Sequence, residues 1–191
     1  MKLPREFYLR NDVVQVAKDL LGKVLCTKFN GKLTSGIITE TEAYAGVIDR
    51  ASHAYGGRRT KRTEIMFGEG GTAYVYLCYG IHHLFNVVTN AKGEPHAVLV
   101  RAIKPLDGIK TMKERRLKDK IDKTFSGGPG TVSQALGILT GHSGLDLLGN
   151  KIWIEDRGIN ISPKQIIKGP RIGVDYAGED AKLHYRFLVD L

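Results

Sequence analysis

Cysteine is scarce in this sequence, and two kinds of segment are missing from it. Cys26 and Cys78 are the only cysteines, and both lie in apolar stretches that favour strands. We therefore expect buried free thiols, which are usual in a reducing cytoplasm. No stretch is long and apolar enough to cross a bilayer, and residues 1–7 lack the apolar core of a signal peptide. These features predict a cytoplasmic protein without a disulfide scaffold or a membrane partner.

Negative charge is also in short supply. The 191 residues include 29 Lys and Arg but only 20 Asp and Glu, so the formal net charge is +9. A basic excess of this size is typical of proteins that bind nucleic acid, although it also favours solubility. The chain contains no internal repeat and no linker-like stretch, and its length suits one domain over 1–191. We favour a single-domain protein with a nucleic-acid partner.

Two carboxylates and an aromatic residue alternate in one predicted strand. Residues 37–39 are Ile, Ile and Thr, which favour an extended chain. Alternate side chains of a strand share a face, so Glu40, Glu42 and Tyr44 are predicted to point the same way. A solvated acidic face on an edge strand is the ordinary interpretation, whereas a buried glutamate would need a partner or a function.

Tyrosines recur in a second pair of extended runs. Tyr74 and Tyr76 share one face, and Tyr79-Gly80 separates their run from the next one over 81–88. This pattern predicts a hairpin with Tyr79 at its tip. Tyr74 and Tyr76 are also compatible with a mixed core. A tip residue has no core to join, so Tyr79 is expected to be exposed.

Capping residues and turn residues predict the other elements. Asn11 is expected to cap a helix to Leu21 that Gly22 ends, and Asp107 to cap a helix to about residue 120. The Asn30-Gly31 pair predicts a hairpin turn. The remaining predicted elements are strands over 23–29, 97–103 (ended by Pro105), 151–155, 165–167 and 185–191, a glycine-rich turn over 127–130 and a helix over 131–139.

A basic run lies in the loop-like segment 46–71. It consists of Arg58, Arg59, Lys61 and Arg62. A solvated loop would explain it, but its place beside a hairpin with an aromatic tip favours contact with phosphates. The later predicted helix is also basic, and many of its charges are expected to be merely solvated.

Eight motifs, taken in order, resemble the alkyladenine DNA glycosylase family, whose members are also called 3-methyladenine or alkylpurine DNA glycosylases. The resemblance extends from Phe7 to Leu191. It implies an α/β (α+β) single domain with a curved, mainly antiparallel sheet, peripheral helices and a protruding β-hairpin. The motifs are Glu40-Thr-Glu-Ala-Tyr44, Ala51-Ser-His53, Tyr74-Val-Tyr76, Tyr79-Gly80, Asn86, Val98-Leu-Val-Arg101, Ser126 to Leu136 and Gly169-Pro-Arg-Ile-Gly-Val174.

The resemblance also implies an activity, hydrolysis of the N-glycosidic bond of a damaged purine by a hydrolase of the DNA-3-methyladenine glycosylase type. Glu42 matches the general base, whereas Glu40 lies outside the catalytic position and is expected to have a supporting or structural role. Arg101 and the main-chain carbonyl of Val174 match the groups that position the attacking water. Tyr79 matches the wedge that fills the gap left by a flipped nucleotide.

The same resemblance implies a pocket for the flipped base. Tyr44 is expected on one face of the base and His53 with Tyr76 on the other, while Asn86 crowds a 2-amino group. A lone histidine is more often structural, but this set of aromatics favours a binding role. The glycine-rich turn over 127–130 is expected to contact the DNA backbone. The expected partner is double-stranded DNA with a damaged purine, bound by a monomer without cofactor or metal, which would be nucleoid-associated in a bacterium.

Two other functions remain open at this level. A metal nuclease would assemble Glu40, Glu42, Asp49 and His53 into a carboxylate–histidine site. An architectural protein would use Tyr79 alone as a minor-groove wedge. The nuclease leaves the aromatic residues unexplained, and the architectural protein leaves Glu42 unexplained.

Overall fold

A computed structural model describes residues 1–191 and contains one curved sheet of eight strands, all paired antiparallel. The predicted fold class is thereby confirmed. Six strands follow the order β3-β4-β5-β2-β1-β6, while β8 pairs with β2 and β7 with β8. The strands are β1 Val24–Phe29, β2 Lys32–Tyr44, β3 Ala73–Cys78, β4 His82–Thr89, β5 His96–Pro105, β6 Ile152–Glu155, β7 Ile167–Gly169 and β8 Arg186–Leu188.

Five short α-helices and six 3₁₀ helices surround the sheet, and none of the helices is long and apolar enough to cross a membrane. The α-helices are α1 Arg5–Tyr8, α2 Val13–Asp19, α3 Ile109–Arg116, α4 Lys123–Ser126 and α5 Pro129–Leu136. The 3₁₀ helices are Gly46–Ile48, Tyr55–Gly57, Glu64–Phe67, Thr140–His142, Pro163–Gln165 and Asp175–Lys182.

The apolar core lies between the sheet and α2, α3, α4 and α5. Side chains of α2 and α5 that face the sheet are fully buried, as are Ile38 on β2 and Val100 on β5. Each such aliphatic side chain contributes about 1.5–3 kcal/mol by leaving water. This packing holds β2 and β5 at the centre of the sheet, and these strands carry Glu42, Tyr44 and Arg101.

Two of the predicted helix caps are wrong. Asp12, not Asn11, caps α2, because its carboxylate accepts a hydrogen bond from the Gln15 N–H at 2.9 Å. Asp107 caps no helix, since its carboxylate accepts from the Ser35 hydroxyl at 2.6 Å and so joins the end of β5 to β2. The helix α3 ends at residue 116, before the left-handed Leu117, so it is shorter than predicted. At Asp107 a tertiary hydrogen bond outweighs the local capping preference.

The strand boundaries near the carboxyl end also differ from the prediction. Residues 163–165 form a 3₁₀ helix, and β7 begins two residues later than predicted, at Ile167. The last strand, β8, is only three residues long, because it pairs with β2 only over Glu40–Glu42.

Both predicted hairpin turns are confirmed. Asn30 and Gly31 have φ values of 51° and 75°, and Tyr79 and Gly80 have φ values of 51° and 74°. Two successive left-handed residues are the signature of a type I′ turn, which matches the twist of the strands it joins. At the second turn the Ile81 N–H donates to the Cys78 carbonyl at 3.1 Å. The turn leaves the side chain of Tyr79 90% exposed at the tip.

Candidate active site

A cavity of about 430 Å³ opens between the β3–β4 hairpin, strands β2 and β5, and the segment 172–174. Except for Glu42 and the basic run, it collects the predicted site residues from five separate parts of the chain. These are Tyr44, His53, Tyr76, Tyr79, Asn86, Arg101 and Val174. Residues 128–131 of the glycine-rich segment and Cys78 also line the cavity, and Cys78 is therefore half-buried where full burial was predicted.

Glu42 lies beneath this cavity and is completely buried. The Tyr44 hydroxyl donates to its Oε2 at 2.8 Å, and the Ile172 N–H donates to its Oε1 at 2.8 Å. The Nη1 atom of Arg101 lies 3.4 Å from the same Oε1. Burial raises the pKa of Glu42, against the opposing effects of Arg101, the Ile172 N–H and the Tyr44 hydroxyl. A carboxylate with a raised pKa is a stronger base than an exposed glutamate.

Arg101 projects from β5 between two carboxylates. Its Nε donates to Glu40 Oε1 at 3.0 Å, and this contact is shorter than its contact with Glu42. Glu40, Glu42 and Tyr44 therefore share a face of β2, as the alternation predicts. The strand β2 lies between β5 and β1, and both glutamates are mostly or fully buried against Arg101, so the edge-strand interpretation with a solvated acidic face is wrong.

Aromatic rings form one wall of the cavity. The His53 and Tyr76 ring centroids lie 4.6 Å apart at 79°, and those of Tyr74 and Tyr76 lie 5.5 Å apart at 32°. Tyr44 lines the same cavity but pairs with none of these rings. Instead, the Arg171 guanidinium lies over the Tyr44 ring at 4.8 Å. The arrangement leaves a space lined by Tyr44 and by the cluster of His53, Tyr74 and Tyr76.

His53 is held neutral at physiological pH. Its Nδ1 lies 2.8 Å from the Tyr74 hydroxyl, and burial lowers the pKa of His53 to about 4, with Arg62 and Arg58 adding to the effect. Its main-chain N–H has no acceptor within the protein. A neutral ring and an unused donor at a cavity wall suit a polar planar ligand.

Asn86 is buried on β4, and two hydrogen bonds determine the orientation of its side-chain amide. Its Nδ2 donates to the carbonyls of Tyr74, at 3.2 Å, and Leu84, at 3.3 Å. Both donors are therefore used by the β3–β4 hairpin itself. The side chain limits the space in the cavity at a defined position.

The segment 170–174 is anchored by a buried ion pair that the sequence did not reveal. The Arg171 guanidinium makes two hydrogen bonds to the Asp49 carboxylate, and it also donates to the carbonyls of Ala43, at 2.9 Å, and Asp180, at 3.1 Å. These contacts place the Ile172 N–H against Glu42 and Val174 at the cavity. The arginine inside the otherwise apolar motif Gly169 to Val174 is the one feature of the sequence that could have indicated a buried ion pair. Its partner could not be predicted, because Asp49 lies 122 residues away.

The basic run is exposed, and its members differ in their surroundings. The Arg59 guanidinium lies over the Phe67 ring at 4.2 Å, and its Nε is 3.9 Å from Glu64. Arg58 and Arg62 form no ion pair, yet they lie close enough to His53 to lower its pKa. Arg58 and Arg62 therefore remain available to a ligand at the cavity.

Comparison with known proteins identifies the family of this chain. The family model for methylpurine-DNA glycosylase matches residues 6–191. The chain belongs to this family. Relatives named "Putative 3-methyladenine DNA glycosylase" include proteins of Clostridium perfringens (44% identity), Chlamydia felis (47%) and Bacillus cytotoxicus (47%), and each alignment covers at least 98% of this chain and 95% of the relative.

Family membership confirms the resemblance seen in the motifs. The predicted enzyme class, a hydrolase of the DNA-3-methyladenine glycosylase type, is confirmed, and DNA is its substrate. The four residues that a metal nuclease would need are engaged by other protein groups in this glycosylase, and Glu40 and Glu42 both contact Arg101. Asp49 pairs with Arg171 and His53 with Tyr74, and no three His, Cys, Asp or Glu side chains cluster as a metal site.

Proposed function

We propose that this glycosylase is a monofunctional enzyme that flips a damaged purine into the cavity and hydrolyses its N-glycosidic bond. The proposed substrates are alkylated or deaminated purines of the 3-methyladenine, 7-methylguanine, hypoxanthine and ethenoadenine class. The observation that carries the proposal is a buried Glu42 beneath an aromatic cavity, beside an exposed tyrosine at a hairpin tip. An architectural protein has no use for a buried carboxylate at this position.

Glu42 acts as the general base. It accepts a proton from a water molecule, the water oxygen forms a bond to sugar C1′, and the C1′–N bond breaks with its electron pair leaving on the base. The negative charge also stabilises the positive charge that develops on the sugar. Arg101 and the carbonyl of Val174 orient the water. The Val174 carbonyl already accepts from the Ala177 N–H at 2.9 Å, which leaves one lone pair for the water.

The aromatic walls select the base. Stacking on Tyr44 and on the His53–Tyr76 side contributes about 1–3 kcal/mol per base, and alkylated cationic purines gain a further cation–π attraction. The neutral His53 does not repel such a cation. Its free N–H donates to an acceptor at the purine 6-position, and Asn86 disfavours a 2-amino group. The enzyme works as a monomer and uses no metal.

A panel of duplexes, each with one lesion, tests this function. The parent chain should release free base from duplexes that carry alkylated purines or hypoxanthine, and Tyr79→Ser should release it more slowly. The loss should be larger when the lesion is well paired than when it faces a mismatch, because extrusion from a mismatch costs less. The measurement is single-turnover release of free base on each duplex.

Equal losses on the paired and the mismatched lesion would exclude Tyr79 as the wedge. Exposed Leu77 on the same hairpin offers a matched control, since Leu77→Ser removes an apolar surface residue away from the tip. It should affect both duplexes alike. No release from any lesion by the parent chain would overturn the proposed function itself.

The basic run should contribute to the salt dependence of DNA binding. Replacing both Arg58 and Arg62 with Ala should flatten the slope of log affinity against log salt by about 2, because each phosphate contact contributes about one unit. Arg59→Ala is the control and should change the slope by less than about 0.5, because this arginine is occupied by Phe67 and Glu64. An unchanged slope in the double variant would place the run away from the DNA.

A further inference from the structure

Glu40 occupies an irregular point of the central strand. The register between β2 and β5 shifts on either side of it, as it does at a β-bulge. Its backbone pairs with Ala102 on β5 and with Leu188 on β8, so three strands meet there. Bulges often redirect a side chain next to an active site. The Glu40 side chain is turned inward and is only 15% exposed.

Glu40 connects two arginines. Its Oε1 accepts from Arg101 Nε at 3.0 Å and from Arg186 Nη1 at 3.0 Å. Arg186 in turn donates from Nε to the Pro170 carbonyl at 2.9 Å. The Ile172 N–H, two residues further on, donates to Glu42. The contacts form a closed circuit from Glu42 through Arg101, Glu40, Arg186 and the segment 170–172 back to Glu42.

We propose that Glu40 is a positioning residue, which holds the Arg101 guanidinium by its Nε edge so that the remaining N–H groups face Glu42 and the cavity. The inference rests on the proposed roles of Glu42 and Arg101. A guanidinium is planar, so a hydrogen bond at one edge determines the direction of the other donors. Without Glu40, Arg101 would pair with Glu42 as its only carboxylate and would no longer be oriented toward a water.

Glu40 also tunes the electrostatic environment of Glu42. The negative charge of Glu40 raises the pKa of Glu42, whereas Arg101 lowers it. Loss of the Glu40 charge would therefore leave Glu42 with a lower pKa and a weaker base strength. The other groups near Glu42 are the Tyr44 hydroxyl on the same strand, Arg186 on β8, and Arg171 with the Ile172 N–H on the 170–174 segment.

Substitutions at Glu40 test this role. Glu40→Gln keeps the shape of the side chain and removes its charge. Single-turnover base release at neutral pH should fall by roughly tenfold, within the range for a misplaced catalytic group. The acidic limb of the pH–rate profile of Glu40→Gln should move to lower pH. Its affinity for lesion-containing duplex should stay within about twofold of the parent's. Glu40→Asp retains the charge, so its acidic limb should remain near the parent's position.

Glu69→Gln is the matched control, because it makes the same charge change at an exposed site beside Arg5. Its rate and pH profile should equal the parent's. A Glu40→Gln profile identical to that of Glu69→Gln would overturn the inference, and so would a loss that appears only in duplex affinity or thermal stability. If Glu42→Gln still abolishes release in that case, the proposed function survives and only the role of Glu40 is wrong.

Discussion

Glu42→Gln should lower single-turnover base release by at least about 100-fold, the lower range for a general acid–base group. The amide keeps the size of the side chain but accepts no proton at neutral pH, and it lacks the charge that stabilises the sugar cation. Affinity for lesion-containing duplex should stay near the parent value, because Glu42 lies beneath the cavity and is fully buried. The measurement is release of free base with enzyme in excess and EDTA present.

The pH dependence of the parent enzyme is part of the same prediction. Since burial raises the pKa of Glu42, release should be lost as pH falls through a value above that of an ordinary glutamate. The residual activity of Glu42→Gln should lack this acidic limb. Glu40→Gln is the comparison variant and should lose much less activity.

The product distinguishes the alternative functions. A monofunctional glycosylase leaves an abasic site that breaks only after alkali, whereas a nuclease cuts the strand directly and an architectural protein releases nothing. Near-parental release by Glu42→Gln on a cationic lesion and on hypoxanthine alike would contradict the proposed mechanism.

Arg171→Met should strongly destabilise the folded protein. It leaves the Asp49 carboxylate buried without its counter-ion, and both side chains of this pair are at most 1% exposed. Breaking a buried ion pair by removing one partner costs about 3–5 kcal/mol of the free energy of unfolding. Urea unfolding at neutral pH measures the loss. Activity should fall with it, because Arg171 holds the segment that presents Ile172 and Val174.

Lys182→Met provides the control for this prediction. Lys182 pairs with Glu179 at 2.8 Å, but both side chains are mostly exposed. Exposed ion pairs contribute at most about 1 kcal/mol, so the free energy of unfolding should change by less than that. Comparable losses in Arg171→Met and Lys182→Met would show that the buried pair has no special importance for stability.

Much of the site was predictable because local chemistry determines it. The two-residue period of a strand is enough to predict that Glu40, Glu42 and Tyr44 share a face. The Tyr79-Gly80 turn signal is enough to predict that Tyr79 is exposed. The motifs then pointed to the family, and through it to Arg101, His53 and Asn86 as members of one site. The structure brings these residues to one cavity, and their individual roles remain predictions.

One of the errors, the predicted cap at Asp107, comes from a contact between distant parts of the chain. The neighbours of Asp107 in the sequence predict a helix cap. In the structure its carboxylate instead accepts a hydrogen bond from Ser35, which lies 72 residues earlier. Local preferences of about 1 kcal/mol yield to such tertiary contacts.

By itself, the sequence determined most of the strands, the hairpin turns, the basic character and the family of this protein, because each depends on residues close together in the chain or on motifs in order. Only the tertiary structure decided which charges meet. Arg171 pairs with Asp49, which lies 122 residues away in the sequence, and Arg186 pairs with Glu40, which lies 146 residues away. Burial then raises the pKa of Glu42 and lowers that of His53, because the folded chain replaces water around them with protein.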